Sequence, residues 1–179
     1  IESLAKIDRP VVWTLHDMWA FTGGCHYAGE CDHFLRACGK CPVLHSSNAG
    51  DLSNQVFRRK ERASSAMKNL PITPPSGWLA ERVRESPLLG HHKVVVVPNG
   101  LKTNTFKSTG REGARKRLNI DPSKKIILFG AIRGTENPLK GFSFLVDAMK
   151  ILNAPDLQLV VFGSSTAGPT DVAGLDTRF

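Results

Sequence analysis

Apolar and polar residues fall into short alternating blocks along this chain, and the blocks predict strands and helices in turn. Residues 11–15, Val-Val-Trp-Thr-Leu after Pro10, form a β-branched and aromatic run that predicts a strand ending at His16-Asp17. Over residues 22–48 Gly, Cys, His and Pro crowd together without a sustained period, which predicts an irregular module in need of a staple. A helix is predicted over 51–70, with Leu52, Val56, Ala63, Ala66, Met67 and Leu70 as its apolar positions, a cap at Asp51 or Ser53, and a stop at Pro71. Ser76 is suited to cap a second helix over 78–84 that carries Leu79 and Val83 on one face. Four valines at 94–97 read as a strand from the interior of a parallel sheet, closed by Pro98-Asn99-Gly100.

The alternation resumes after a polar loop over 101–110. A short helix is predicted over 111–118, a buried strand over 125–131, a helix over 140–152 and a strand over 157–163. The third of these would turn Phe144, Leu145, Ala148, Ile151 and Leu152 toward a core. Strands and helices in strict alternation predict a doubly wound, Rossmann-like α/β architecture with right-handed crossovers, whose ligands gather at the carboxyl ends of strands. The pattern breaks near 101–107, so two domains are expected, residues 1–101 and 102–179.

Composition adds constraints. With 179 residues and 41% hydrophobic content the chain can build real cores. No apolar run approaches the roughly 20 residues of a membrane-spanning helix, and the first ten residues carry neither a start Met nor a signal pattern. The formal charge of +8 suits a phosphate-rich partner. Its basic residues, however, are scattered over 58–60, 82–84, 111–117 and 124–125, mostly on predicted helix faces. That distribution describes solvated surface with weak attraction to an anionic membrane or polymer, and no specific nucleic-acid site.

Three stretches together resemble the family 4 retaining glycosyltransferases of the GT-B fold: Thr14-Leu15-His16-Asp17; Val97-Pro98-Asn99-Gly100 followed by Phe106; and Phe129-Gly130-Ala131 leading through Arg133 to Lys140-Gly141. Their order and separation match that family's layout from about residue 10 to 163. The resemblance implies transfer of a sugar from a UDP-, GDP- or similar donor to a glycan or lipid-linked acceptor, with retention, in a setting such as polysaccharide assembly. It also implies a cytoplasmic location, at most peripheral at the inner membrane face. Residues 1–101 would then be the later part of an acceptor-side domain and 102–179 the beginning of a nucleotide-sugar domain.

The resemblance assigns roles as well. Arg133 and Lys140, beside Gly141, would bind the donor diphosphate and stabilise the charge that collects on the leaving β-phosphate, without a catalytic metal. Lys140 is expected to open a helix whose first amides add positive potential. His16 would lie near the donor sugar, with Asp17 able to orient its ring. The family's Gly-rich loop would lie before Ile1 and its pair of glutamates, seven positions apart, after Gly163. The chain by itself is therefore expected not to transfer sugar efficiently. Two rival readings remain: a metal-stapled basic module that binds polyanions, and another GT-B enzyme such as a sugar-phosphate epimerase or a phosphorylase.

All four cysteines lie within one short segment, Cys25, Cys31, Cys38 and Cys41, spaced C-x5-C-x6-C-x2-C. Four thiolates suit tetrahedral Zn2+, and Cys38-Gly39-Lys40-Cys41 has the gap of a zinc knuckle. Such a closed site is structural and would order the loop. Free thiols, disulfides and an iron–sulfur cluster are the other possibilities, with His26 and His33 as spare ligands. The insert would mark a subgroup of the family.

Overall fold

Four prolines, at positions 71, 74, 75 and 98, remove backbone donors where the first half of the chain would extend its strands. The computed structural model, which describes residues 1–163 and 177–178, accordingly forms single bridges there. The chain divides into two units, Ile1–Lys102 and Thr103–Phe179. In the first, Trp13 N–H donates to Pro71 O and Thr73 N–H to Trp13 O, both at 2.9 Å. Ile72 N–H donates to Lys93 O at 2.8 Å and Val95 N–H to Ile72 O at 3.0 Å. The bridges Trp13–Ile72 and Ile72–Val94 are parallel. The predicted strands at 11–15 and 94–97 are thus reduced to one bridge each. Val95, Val96 and Val97 are 41%, 39% and 50% exposed rather than buried, because their segment is hydrogen-bonded on one side only, to residues 72–74.

Helix α1 runs over Leu52–Ser65, and its cap is Asp51, which accepts from Asn54 N–H at 3.1 Å and contributes about 1 kcal/mol. It stops short of residue 70. Ser65 Oγ donates back to Glu61 O, Ser64 Oγ bonds Leu88 O, and the approach to Pro71 disfavours further helix. The buried stripe is Ser53, Phe57, Lys60, Ala63 and Ser64, one step around from the predicted face, while Leu52 is 61% exposed. Helix α2, Gly77–Glu85, is capped by Ser76 and buries Leu79, Ala80 and Val83. These stripes meet Phe21, Ile72, Leu88 and Leu89 in one core. Full burial of a side chain such as Phe57 stabilises by about 1.5–3 kcal/mol.

In the second unit α3 spans Arg111–Arg117, β1 Lys125–Gly130, α4 Phe142–Leu152 and β2 Leu157–Phe162; β3, Thr177–Arg178, completes a parallel sheet in the order β1-β2-β3. Leu128 pairs with Val160 and Gly130 with Phe162. The class is α/β with a small parallel sheet; the described residues do not form the full doubly wound sheet that the sequence predicts. Residues 164–176, part of the predicted second domain, lie outside the described residues. Helix α4 corrects the sequence reading: it buries Phe142 and Met149, flanked by half-buried Leu145 and Val146, whereas Phe144, Ile151 and Leu152 are 76%, 84% and 62% exposed. The helix is apolar on most sides, so its sequence offers two stripes, and the sheet takes the one whose Phe142 ring meets Phe129, centroids 5.1 Å apart.

Candidate functional site

The segment after Trp13 delivers His16 to an exposed turn, where no other group holds its ring among the described residues. Asp17 does not orient it. Asp17 Oδ1 accepts from Trp19 N–H and Oδ2 from His26 Nδ1, each at 2.8 Å. Burial pushes the Asp17 carboxyl up, but these bonds outweigh it and hold its pKa below the ordinary value. Asp17 therefore ties the turn at 16–19 to the start of the Cys-rich loop, and His26 is engaged there.

Beneath that turn lies a residue the sequence reading missed. Lys60 is 1% exposed, its ammonium bonds the carbonyls of Trp19 and Thr22, the latter at 3.1 Å, and it sits 3.8 Å from the centroid of a Trp19 ring. Burial lowers its pKa to about 8, so it remains mostly a cation at neutral pH. A lysine in a helical charge pattern is ordinarily read as surface. The signal available was its register: Lys60 falls on the Ser53–Phe57–Ser64 stripe at intervals of three and four.

The Cys-rich loop is less bare of apolar anchors than its composition implies. Phe34, in a short turn of 3-10 helix, is buried edge-on against Phe21 with centroids 6.0 Å apart. Asn54 Nδ2 donates to Cys38 O at 2.6 Å, Cys41 N–H to Asp51 Oδ2 at 2.8 Å, and Lys40 N–H to Asn48 O at 2.9 Å. Hydrogen bonds from the Ser53 hydroxyl and the Cys41 amide keep the Asp51 carboxyl well below the usual carboxylate range. All four cysteines, together with His33, line one cavity of about 400 Å3, and all four are free thiols. His33 Nδ1 lies 3.0 Å from Gly39 O. Burial raises the Cys38 thiol to about 11, although Gly23 N–H donates to its sulfur, and burial with the neighbouring Cys41 and Cys31 raises Cys25. Among the described residues no three His, Cys, Asp or Glu side chains are already arranged to hold a metal ion.

In the second unit, the loop leaving β1 turns sharply: Gly134 N–H donates to Ala131 O at 3.1 Å and Asn137 N–H to Arg133 O at 3.1 Å, with Arg133 itself in the left-handed region at φ 50. The Arg133 guanidinium is exposed and grips Glu136 Oε2 through Nε at 3.1 Å and Nη2 at 3.0 Å. Lys140 ends a separate 3-10 turn, Pro138–Lys140, opened by Asn137 Oδ1 accepting from Leu139 N–H. It does not open α4; Gly141, at φ 72, stands between them. Arg133 and Lys140 nonetheless belong to one loop, between the carboxyl end of β1 and the amino end of α4, where parallel α/β sheets bind ligands. That loop can present two cations and helix amides to an anion.

Two known proteins resemble the chain. Over 104 residues it is 44% identical to the putative colanic acid biosynthesis glycosyl transferase WcaC of Escherichia coli, covering 56% of this chain and 25% of that protein. Over 85 residues it is 32% identical to a D-inositol 3-phosphate glycosyltransferase of Segniliparus rotundus, covering 46% of this chain and 18% of the relative. Both relatives are glycosyltransferases. The chain spans a quarter or less of their lengths. No protein-family model matches it, and no solved structure does. No helix among the described residues is long and apolar enough to cross a membrane.

Proposed function

We propose that this chain carries part of a retaining glycosyltransferase of the GT-B type, which moves a sugar from a UDP- or GDP-linked donor to a glycan or lipid-linked acceptor. The observation that carries this reading is the 44% identity over 104 residues with a protein named as a glycosyl transferase. The loop between β1 and α4 supports it, because a nucleoside diphosphate needs fixed positive charge at a strand end and this loop offers Arg133 and Lys140. In this reading the diphosphate draws the Arg133 guanidinium from Glu136, and Lys140, exposed, adds the second charge. His16 meets the donor sugar, and Asp17 acts one step back by fixing the turn through Trp19 and His26. Any hold on an anionic membrane surface is weak and salt-sensitive.

The test is thermal protection of the purified chain by UDP and GDP against UMP and GMP. One of the two diphosphates should raise the midpoint and its monophosphate should not, since the second phosphate is what the two cations read. Equal protection by polyphosphate, heparin and the nucleotides, abolished by moderate salt, would instead support a polyanion-binding module.

A further inference from the structure

The Cys-rich loop and α1 bring together more thiolate chemistry and more positive charge than the proposed transfer reaction uses. We infer that Cys25, Cys31, Cys38 and Cys41 form a tetrathiolate site for one tetrahedral divalent ion of the Zn2+ type, whose anionic charge is balanced by buried Lys60. The site is independent of the glycosyltransferase reading and stands or falls without it.

Four observations carry it. First, thiols separated by up to sixteen positions line a single cavity of about 400 Å3. Second, Cys38 and Cys41 flank a two-residue turn of positive φ, Gly39 at 147 and Lys40 at 46, in the gap of a zinc knuckle. A side chain at Gly39 would collide with the Ala49 carbonyl, so the turn is fitted to its neighbour. Third, Gly23 N–H donates to Cys38 Sγ at 3.1 Å, the kind of amide bond that supports a coordinated thiolate from outside the metal shell. Fourth, Lys60 is buried as a cation on two carbonyls and an indole, with no carboxylate in an ion pair with it among the described residues. An unbalanced buried charge is costly. Trp19, over whose ring Lys60 sits, also lines the cavity, so an anionic centre there adds to the countercharge that Asp17 gives Lys60.

The charges close. Each thiol gives its proton to solvent as its sulfur coordinates; four thiolates and one divalent cation leave a centre of net charge minus two, with Arg59 in the cavity lining and Lys60 behind Trp19. The side chains now stand apart, and rotations between staggered χ1 wells move a sulfur by a few ångströms. His33 Nδ1 lies against Gly39 O and His26 Nδ1 against Asp17, which leaves each Nε2 open; four thiolates fill a tetrahedral shell without them.

Elemental analysis and thiol titration of the full chain, purified reduced without chelator, decide the matter. Close to one zinc per chain, thiols that react with a disulfide reagent only after chelation, and a thermal midpoint that falls more than about 5 °C on chelation are expected. Replacing the zinc with Co2+ should give the intense visible bands of a tetrahedral thiolate complex. His33→Ala should keep the metal and Cys38→Ser should lose it; if Cys38→Ser does not fold, the wild-type measurements stand alone. Less than about 0.2 metal per chain with four freely reacting thiols would overturn the inference, as would disulfides in the intact mass or iron with sulfide in place of a single ion.

Discussion

The two units reach order by opposite means. The first has a broad core, from Leu15 and Phe21 through Phe57 to Leu89, yet its extended segments share only isolated bridges. Its backbone is held instead by side chains: Lys60 on two carbonyls, Asp51 on the Cys41 and Asn54 amides, Ser64 on Leu88, Ser86 Oγ on Phe21 O at 3.3 Å. The second unit has a regular six-pair register between β1 and β2 and a thin core centred on Phe142, Met149, Leu159 and Val161. Removing one polar anchor should therefore damage the first unit more than removing one apolar side chain damages the second. All three tryptophans lie in the first unit, so its unfolding can be followed by fluorescence while circular dichroism follows both.

The largest effect is expected at Lys60. Lys60→Ala strands the Trp19 and Thr22 carbonyls and removes the packed stem, a loss of about 4 kcal/mol in urea unfolding followed by tryptophan fluorescence. A loss under about 1 kcal/mol would remove the polar-anchor account of the first unit. Next comes Met149→Ala, at 3% exposure, with an expected cost of about 2–3 kcal/mol in the second unit. Its control is Ile151→Ala on the same helix, at 84% exposure, expected to stay within about 0.5 kcal/mol. Reversal of that pair would mean that α4 uses the stripe its sequence first suggests.

The smallest effect is a pH drift in the first unit. His92, 9% exposed, lies 3.4 Å from Ser64 Oγ and stacks its ring 4.0 Å from that of His91. Burial, then the neighbouring His91, lowers its pKa below 6.5. As pH falls past 6.5 the unfolded chain takes up the proton first, so stability is intact above that value and declines below it. Thermal midpoints on either side of pH 6.5 should register the decline, and His92→Gln should flatten it.

What the sequence disclosed follows the same division. The positions of strands β1 and β2, the Asp51 and Ser76 caps and the α2 face were legible because local pattern and propensity agree there; the burial expected of β1 is not met, since Leu128 is 63% exposed. The α1 stripe was hidden because its register includes a lysine, which binary patterning scores as solvent-facing. The α4 stripe was ambiguous because apolar residues surround the helix, and only contact with Phe129 selects among them. Lys140 was assigned to the helix start although Pro138 and Gly141 already punctuate the chain on either side of it. His16-Asp17 read as a pair, whereas Asp17 turns to His26, a partner nine positions away that no local rule selects.

The central claim is that the loop between β1 and α4 binds a nucleoside diphosphate through Arg133 and Lys140. Calorimetric titration of UDP and GDP into the wild-type chain, Arg133→Ala and Lys140→Ala tests it most directly. Binding of one of the two nucleotides by the wild type, weakened about tenfold to a hundredfold in each variant without a change in thermal midpoint, is the predicted result. Nucleotide binding that both variants retain at full strength would contradict it.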